Sequence, residues 1–136
     1  MSHENIEVMR RAYAAFADEG TEGFLPFADA QIQIEESAEF PDTGIYAGHD
    51  GIRELISLFT DTFDDLGMEP EAFTEGTEDR VLIAIKMTGT AKTSGIPVEI
   101  RPFHVHTLRG GKSVHMRVFL DEAGALEAAG LSEPQE

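Results

Sequence analysis

The C-terminal half of the chain alternates between apolar and polar residues, and this alternation limits the fold more than any other feature. Two alternating runs, 101–109 and 112–120, flank the pair Gly110-Gly111, and a third run spans 80–93. The strands around the glycine pair are predicted over 96–108 and 113–120. Side chains alternate across a strand, and a short glycine-containing link between two such runs is typical of a hairpin. This half of the chain is therefore predicted to form an antiparallel meander.

The run 101–109 places two histidines, His104 and His106, on one face of an otherwise apolar strand. We interpret that face as the wall of a pocket. Imidazole can donate or accept a hydrogen bond and can exchange a proton near neutral pH. A zinc site is an alternative, although two histidines at this spacing need a third ligand, which Glu36 would supply.

The N-terminal half carries apolar residues at helical spacing. The first helix is predicted to begin at Ser2 and to stop near Gly20, and the second to begin at His49 or Asp50 and to end at Gly67. Apolar residues that mark these two helices are Ile6, Met9, Tyr13, Phe16, Ile52, Leu55, Ile56, Phe59, Phe63 and Leu66. A short helical piece over 22–28 and a strand over 31–36 lie between them, and Asp121 caps a last helix over 122–129.

Helices followed by hairpin-linked strands predict an α+β fold, because each apolar face must be buried against another element. We expect a curved antiparallel sheet wrapped around the N-terminal helices, as a cone with an internal pocket. Residues 1–132 are expected to form one domain, and residues 133–136 a disordered tail.

The composition excludes several classes of function. The chain has 136 residues, a formal net charge of −16 and no cysteine. Nucleic acid and anionic membranes are repelled by such a charge, and a thiol nucleophile or a disulfide framework is ruled out. A basic segment followed by an apolar run is not found at the N-terminus, so a cytoplasmic protein is expected.

Three segments carry a resemblance to a known group. They are Gly-Ile-Tyr-Ala-Gly-His-Asp-Gly-Ile at 44–52, Leu-Arg-Gly-Gly-Lys at 108–112, and Phe-Leu-Asp-Glu-Ala-Gly-Ala-Leu-Glu-Ala-Ala-Gly-Leu at 119–131. With the order of elements, they make the chain similar to the nuclear transport factor 2-like superfamily, which includes ketosteroid isomerase and the SnoaL-like polyketide cyclases. The resemblance implies cofactor-free acid–base chemistry next to a carbonyl, and a homodimer through the outer face of the sheet.

The resemblance also suggests roles for single residues. Tyr13 falls where ketosteroid isomerase places its oxyanion tyrosine, and His104 falls where that enzyme places its protonated aspartate. Ile34 occupies the position of the base. Glu36, two residues further along the same strand, is the candidate for a displaced base. Alternation places Glu36 inside, whereas a strand end or a bulge would turn it outward.

Tyr13, His104 and Glu36 are therefore the predicted catalytic residues. The residues predicted to line the ligand pocket are Phe16, Ile34, Tyr46, Phe59, Phe63, His106 and Met116. The expected ligand is a small apolar molecule that carries a carbonyl, and no cofactor is implied. A non-catalytic binding module, or a dimeric structural module on the same fold, is the alternative function.

Overall fold

A computed structural model describes residues 2–36 and 45–131 of the chain, and the predicted tail over 133–136 lies outside this part. The helices in this part are α1 (Ser2–Glu19), α2 (Thr21–Phe24), which runs into a 3₁₀ turn (Leu25–Phe27), α3 (Gly48–Thr62) and α4 (Glu122–Ala128). The strands are β1 (Ala28–Glu36), β2 (Ile45–Ala47), β3 (Phe63–Glu75), β4 (Arg80–Ala91), β5 (Pro97–Ile100), β6 (Phe103–Arg109) and β7 (Lys112–Phe119). None of the helices described is both long enough and apolar enough to cross a membrane.

The strands form one curved sheet that does not close, in the order β2-β1-β7-β6-β4-β3, with β5 also paired to β4. This confirms the predicted α+β fold with N-terminal helices. The prediction of a wholly antiparallel sheet is wrong at one pair, because β1 runs parallel to β7. A parallel pair needs a long connection, and the two strands are separated by α3 and most of the sheet.

The core lies between the inner face of the sheet and helices α1 and α3. Met9 and Ala12 of α1 and Ile83 of β4 are completely buried there. The expected alternation holds, since the inward residues of β4 are buried while Lys86 on the other face is partly exposed. The helices thus cover the concave face, as the pattern of apolar residues predicts.

The boundary between α3 and β3 differs from the prediction. The helix ends at Thr62, and Phe63 already pairs with Ala91 of β4, so Phe63 lies on a strand and not on the helix. Gly67 lies within β3, paired with Thr88, and does not end a helix. A Cβ at this position would lie 2.9 Å from the Thr88 hydroxyl oxygen, so glycine permits the close approach of the two strands. The long partner strand offers ladder hydrogen bonds that outweigh the helical spacing of the apolar residues.

The predicted strand over 96–108 is divided into two. β5 and β6 both pair with β4, and Arg101 and Pro102 between them belong to neither strand. Proline has no backbone N–H for the ladder, which explains why the strand is interrupted at this point.

Helix α4 packs on the outer face of the sheet. Asp121 caps it by accepting a hydrogen bond from the Gly124 backbone N–H at 2.7 Å, as predicted. Ala125 of α4 and Ala129, just after the helix, form a second, smaller core with Leu82, Val105 and Phe119. The homodimer through the outer face stays a prediction, and it would use the part of that face that α4 leaves uncovered.

Candidate functional site

A cavity lies between the inner face of the sheet and helices α1 and α3. The cavity has a volume of about 60 Å³. One water needs roughly 10–15 Å³, so the cavity has room for about four to six waters or a small ligand in their place. Among the described residues that line the cavity, those with nitrogen or oxygen in the side chain are Tyr13, Glu36 and His104. The remaining lining is aliphatic, aromatic or methionine, which favours an apolar ligand.

Most of the predicted site residues meet at this cavity. Those that line it are Tyr13, Phe16, Ile34, Glu36, Phe59, His104 and Met116. Glu36 is 9% exposed and points inward, so β1 continues through this residue without turning it to solvent. Of the two orientations left open by the sequence, the structure has the inward one.

Three predicted pocket residues lie elsewhere. Tyr46 is buried beside Ile34 on the neighbouring strand β2, outside the cavity lining. Phe63 lines a separate small hollow together with Leu66, because β3 begins earlier than the sequence suggests. His106 is completely buried behind Tyr13 and does not reach the cavity.

The register of the sheet brings a carboxyl group and an imidazole into one row. Glu36 of β1 pairs with Val118 of β7, and Val118 pairs with His104 of β6. Neighbouring strands lie about 4.8 Å apart, so the Cα atoms of Glu36 and His104 are separated by roughly 10 Å. A ligand resting on Val118 therefore has a carboxyl group on one side and an imidazole on the other.

The adjacent row contains Ile34, Met116 and His106, paired in the same way. Ile34 thus stands one row below Glu36, about 6–7 Å along the strand. The carboxyl group that the resemblance places at Ile34 is absent from this row, and the carboxyl group of the next row faces His104 instead.

The hydroxyl group of Tyr13 joins the two histidines. Its oxygen lies 2.7 Å from Nδ1 of His104 and 2.8 Å from Nε2 of His106. The other ring nitrogen of His106, Nδ1, lies 2.8 Å from the hydroxyl oxygen of Ser113. The hydroxyl group of Tyr13 is therefore engaged by two protein groups.

Burial sets the protonation of this cluster. It lowers the pKa of His104 to about 3, and burial, reinforced by nearby His104 and His115, lowers the pKa of His106 similarly. Burial also raises the pKa of Tyr13 well above its usual value. All three groups are consequently neutral at pH 7, because a charged form would lose its hydration.

The second ring nitrogen of His104, Nε2, is the polar atom that the cluster offers to a ligand. Every fully buried side-chain nitrogen or oxygen of the described residues has a hydrogen-bond partner. Nδ1 of His104 bonds to Tyr13, and no partner within the described residues is found for Nε2. Nε2 must therefore reach accessible space, and the cavity is the space that His104 lines.

The alternative of a zinc site finds no support in the geometry. The part of the chain that the structure describes contains no group of three metal-ligating side chains. Both nitrogens of His106 are already bonded, one to Tyr13 and one to Ser113. A metal would have to break this network to use both histidines.

Sequence reasoning missed Ser113 and several apolar lining residues. Strict alternation places Ser113 on the outer face with His115, but a bulge at Val114 shifts the register between β6 and β7 and turns Ser113 inward. Met68, Met87 and Ile100 also line the cavity. No sequence signal marks the bulge, whereas the inward alternation of β4 already pointed to Met87.

Comparison with known proteins agrees with this fold. The structure is similar to a nuclear transport factor 2-like protein from Burkholderia thailandensis E264, with 25% identity and a TM-score of 0.76, covering 96% of this chain and 98% of that chain. It is also similar to TerC co-crystallised with polyporic acid, with 25% identity and a TM-score of 0.74, covering 91% and 96%.

A third similar structure is that of SalBIII, an epoxide hydrolase/cyclase-like enzyme with a role in pyran ring formation in the polyether salinomycin. It is 18% identical with a TM-score of 0.72, and the match covers 88% of this chain and 92% of that chain, so this likeness concerns the fold. No functionally curated protein matches the chain. The sequence profile of the SnoaL-like domain matches residues 9–116, and the chain therefore belongs to the SnoaL-like domain family, with a nuclear transport factor 2-like fold.

Proposed function

We propose that the cavity binds a small apolar molecule with a carbonyl group, and that His104 and Glu36 carry out cofactor-free acid–base chemistry at the carbon next to that carbonyl. The observation that carries this proposal is the row Glu36–Val118–His104, which sets one carboxyl group opposite one neutral imidazole across an apolar floor. A reacting group between them would touch both, while the rest of the molecule would meet apolar walls.

The imidazole of His104 is suited to the carbonyl oxygen. A neutral imidazole can polarise a carbonyl by donating a hydrogen bond, and it does not lose a proton at pH 7. In a cavity with little water, a fixed donor aimed at the developing enolate oxygen acts more strongly than it would in solution. His104 would therefore stabilise the negative charge that forms on the oxygen.

Glu36 is suited to the carbon. Its carboxylate would take the α-proton as the C–H electron pair moves into the enolate, and it would return that proton to the same or another carbon. Return to the same carbon, after the carboxyl group has exchanged its proton with water, gives exchange with solvent, and return to another carbon gives isomerisation. Neither outcome needs an oxidant, a reductant or a second substrate.

Two of the similar structures support a small-molecule site in this fold. One was crystallised with polyporic acid, and another belongs to an epoxide hydrolase/cyclase-like enzyme. The alternative is a binding module without catalysis, which the predominance of apolar lining favours. The cytoplasm and a homodimer remain our expectations for where and in what state the protein acts.

The test is deuterium uptake at the α-carbon of small cyclic ketones in D₂O, followed by mass spectrometry. Glu36→Gln should lower the rate by about 10²–10⁴-fold, the usual contribution of a positioned acid or base. Glu35→Gln is the matched control, because Glu35 lies next in the chain but bonds to His115 on the outer face. Uptake that survives Glu36→Gln would remove Glu36 from the mechanism. Saturable ketone binding without uptake would identify a binding module.

A further inference from the structure

Ser113 lies on β7, fully buried, at the far end of the hydrogen-bonded cluster from the cavity. Its hydroxyl oxygen is 2.8 Å from Nδ1 of His106 and 3.4 Å from the backbone carbonyl oxygen of His115. Hydroxyl hydrogen bonds are normally 2.5–3.0 Å long, and a hydroxyl group has a single proton. The 2.8 Å contact fits a bond in either direction, but the 3.4 Å contact, in which Ser113 would donate to the carbonyl, is longer than a normal hydroxyl bond. The single proton of Ser113 therefore makes the better bond with His106.

That single choice determines the rest of the cluster. A neutral imidazole has one N–H, so His106 with a bare Nδ1 carries its proton on Nε2 and donates it to the oxygen of Tyr13. Tyr13 then has its own proton left for Nδ1 of His104. The one proton of His104 must in turn lie on Nε2, which faces the cavity.

We propose that Ser113 is a positioning residue, which acts through His106 and Tyr13 to keep the proton of His104 on the nitrogen that faces the cavity. The hydrogen bonds run in one direction, from Ser113 to the ligand. The cavity then offers a donor, so it selects a ligand whose polar group is an acceptor, such as a ketone oxygen. This deepens the proposed function, and its catalytic consequence rests on that function.

The reverse direction is the competing arrangement. Ser113 would donate to the His115 carbonyl, His106 to Ser113, Tyr13 to His106 and His104 to Tyr13. This arrangement would use the 3.4 Å contact between Ser113 and the His115 carbonyl oxygen, the longest of the cluster. Nε2 of His104 would then carry no proton and could only accept a hydrogen bond. A ligand with a hydroxyl or N–H donor would then be selected. The two arrangements thus predict opposite protonation of the same ring.

The experiment is nitrogen NMR of the full-length, ligand-free protein with ¹⁵N-labelled histidine at pH 7. Chemical shifts and long-range couplings show which ring nitrogen carries the proton. His3→Gln, His49→Gln and His115→Gln identify three of the five histidine signals, and His104→Gln separates the last two. We expect the proton of His104 and that of His106 on Nε2. A proton on Nδ1 of His104 would overturn the proposal, whatever the protein catalyses.

Ser113→Ala tests the positioning role itself. With no donor at Nδ1 of His106, the two rings should lose their preference for a proton on Nε2. The Nε2 signal of His104 should then move toward the chemical shift of an unprotonated ring nitrogen. Ser57→Ala, on the exposed side of α3, is the control and should leave both rings unchanged. An unchanged His104 in folded Ser113→Ala would overturn the role of Ser113. Should that variant not fold, the wild-type protonation still decides, and Ser113→Cys, similar in size but a weaker donor, replaces it.

Discussion

His104 and His106 lie two residues apart on the same face of β6 and bond to the same tyrosine, yet they belong to different kinds of site. His106 has a protein partner for each nitrogen and is 0% exposed. His104 has one nitrogen bonded to Tyr13 and the other turned to the cavity, in the same row as Glu36. The same residue type is thus fully enclosed in one row and borders the cavity in the next.

The difference comes from what each histidine faces across the sheet. The row of His106 continues through Met116 to Ile34, two apolar residues that line the cavity, while His106 itself is fully enclosed between Tyr13 and Ser113. The row of His104 continues through Val118 to Glu36, at the cavity. What distinguishes His104 is therefore its own contact with the cavity and the carboxyl group at the end of its row.

Removal of the two imidazoles should separate these roles most strongly. His106→Ala leaves Tyr13 and Ser113 short of a partner and opens a space in the core, so we expect a loss of about 3–5 kcal/mol of unfolding free energy. His104→Ala removes one hydrogen bond beside an existing cavity and should cost about 1–3 kcal/mol. Urea unfolding measures both, and equal or reversed costs would contradict the assignment of roles.

Tyr13→Phe should affect both rows at once. The substitution keeps the ring but removes the hydroxyl that bonds to His104 and His106, and each ring is left with an unsatisfied interior nitrogen. We expect a loss of about 2–4 kcal/mol in unfolding free energy. A cost below about 1 kcal/mol would show that the hydroxyl does not join the two histidines.

Acidification should weaken the fold through both histidines. In the unfolded chain a histidine takes up a proton near pH 6.5, whereas burial lowers the pKa of His104 and His106 to about 3 in the folded protein. The unfolded state then binds more protons, so stability falls as pH falls from about 6.5 toward 3. At pH 5.5 each ring should lower the free energy of unfolding by about 1.4 kcal/mol relative to neutral pH.

The most direct measurement of this effect is the imidazole NMR signal of each ring between pH 7.5 and 5.5. Both rings should keep the signals of the neutral form throughout. Protonation of either ring at half-maximum near pH 6.5 would show that the folded protein does not exclude water from it.

Val118 sharpens the comparison between the cavity and the rest of the core. Val118→Ala and Val105→Ala remove the same atoms, from the cavity floor and from the contact with α4, and each should cost about 1–2 kcal/mol. The floor substitution should in addition favour larger ketones over smaller ones by about tenfold. Ketone binding by the two variants, followed by NMR, tests this, and a matching change in Val105→Ala would contradict it.

The inward faces of the strands could be predicted from the sequence, and the site could be predicted in part. Alternation places His104, Ile34 and Glu36 inside, and the structure has them there. The pairing of Glu36 with His104 through Val118 depends on a parallel contact between β1 and β7, which no local pattern indicates. Ser113 is turned inward by a bulge, so its place in the cluster also depends on long-range pairing.

The end of the second predicted helix also could not be predicted from local spacing. The spacing of Phe59, Phe63 and Leu66 fits a helix, and the residues after Thr62 would bury an apolar stripe in that form. They form a strand because β4 is long enough to pair with them from Ala91 onward. Tertiary pairing thus overrides local spacing, and it removes Phe63 from the predicted pocket.

The carbonyl stretching frequency of a bound cyclic ketone tests the central claim most directly, because it reports on the hydrogen bond to the ketone oxygen. Infrared difference spectra with ¹³C-labelled cyclohexanone would be recorded for the wild-type protein, His104→Ala and Glu36→Gln. We predict a lowered frequency in the wild-type protein and in Glu36→Gln, and a return toward the value in apolar solvent in His104→Ala. The same frequency in the wild-type protein and in His104→Ala would contradict the account, because the ketone oxygen would then not be bonded to His104.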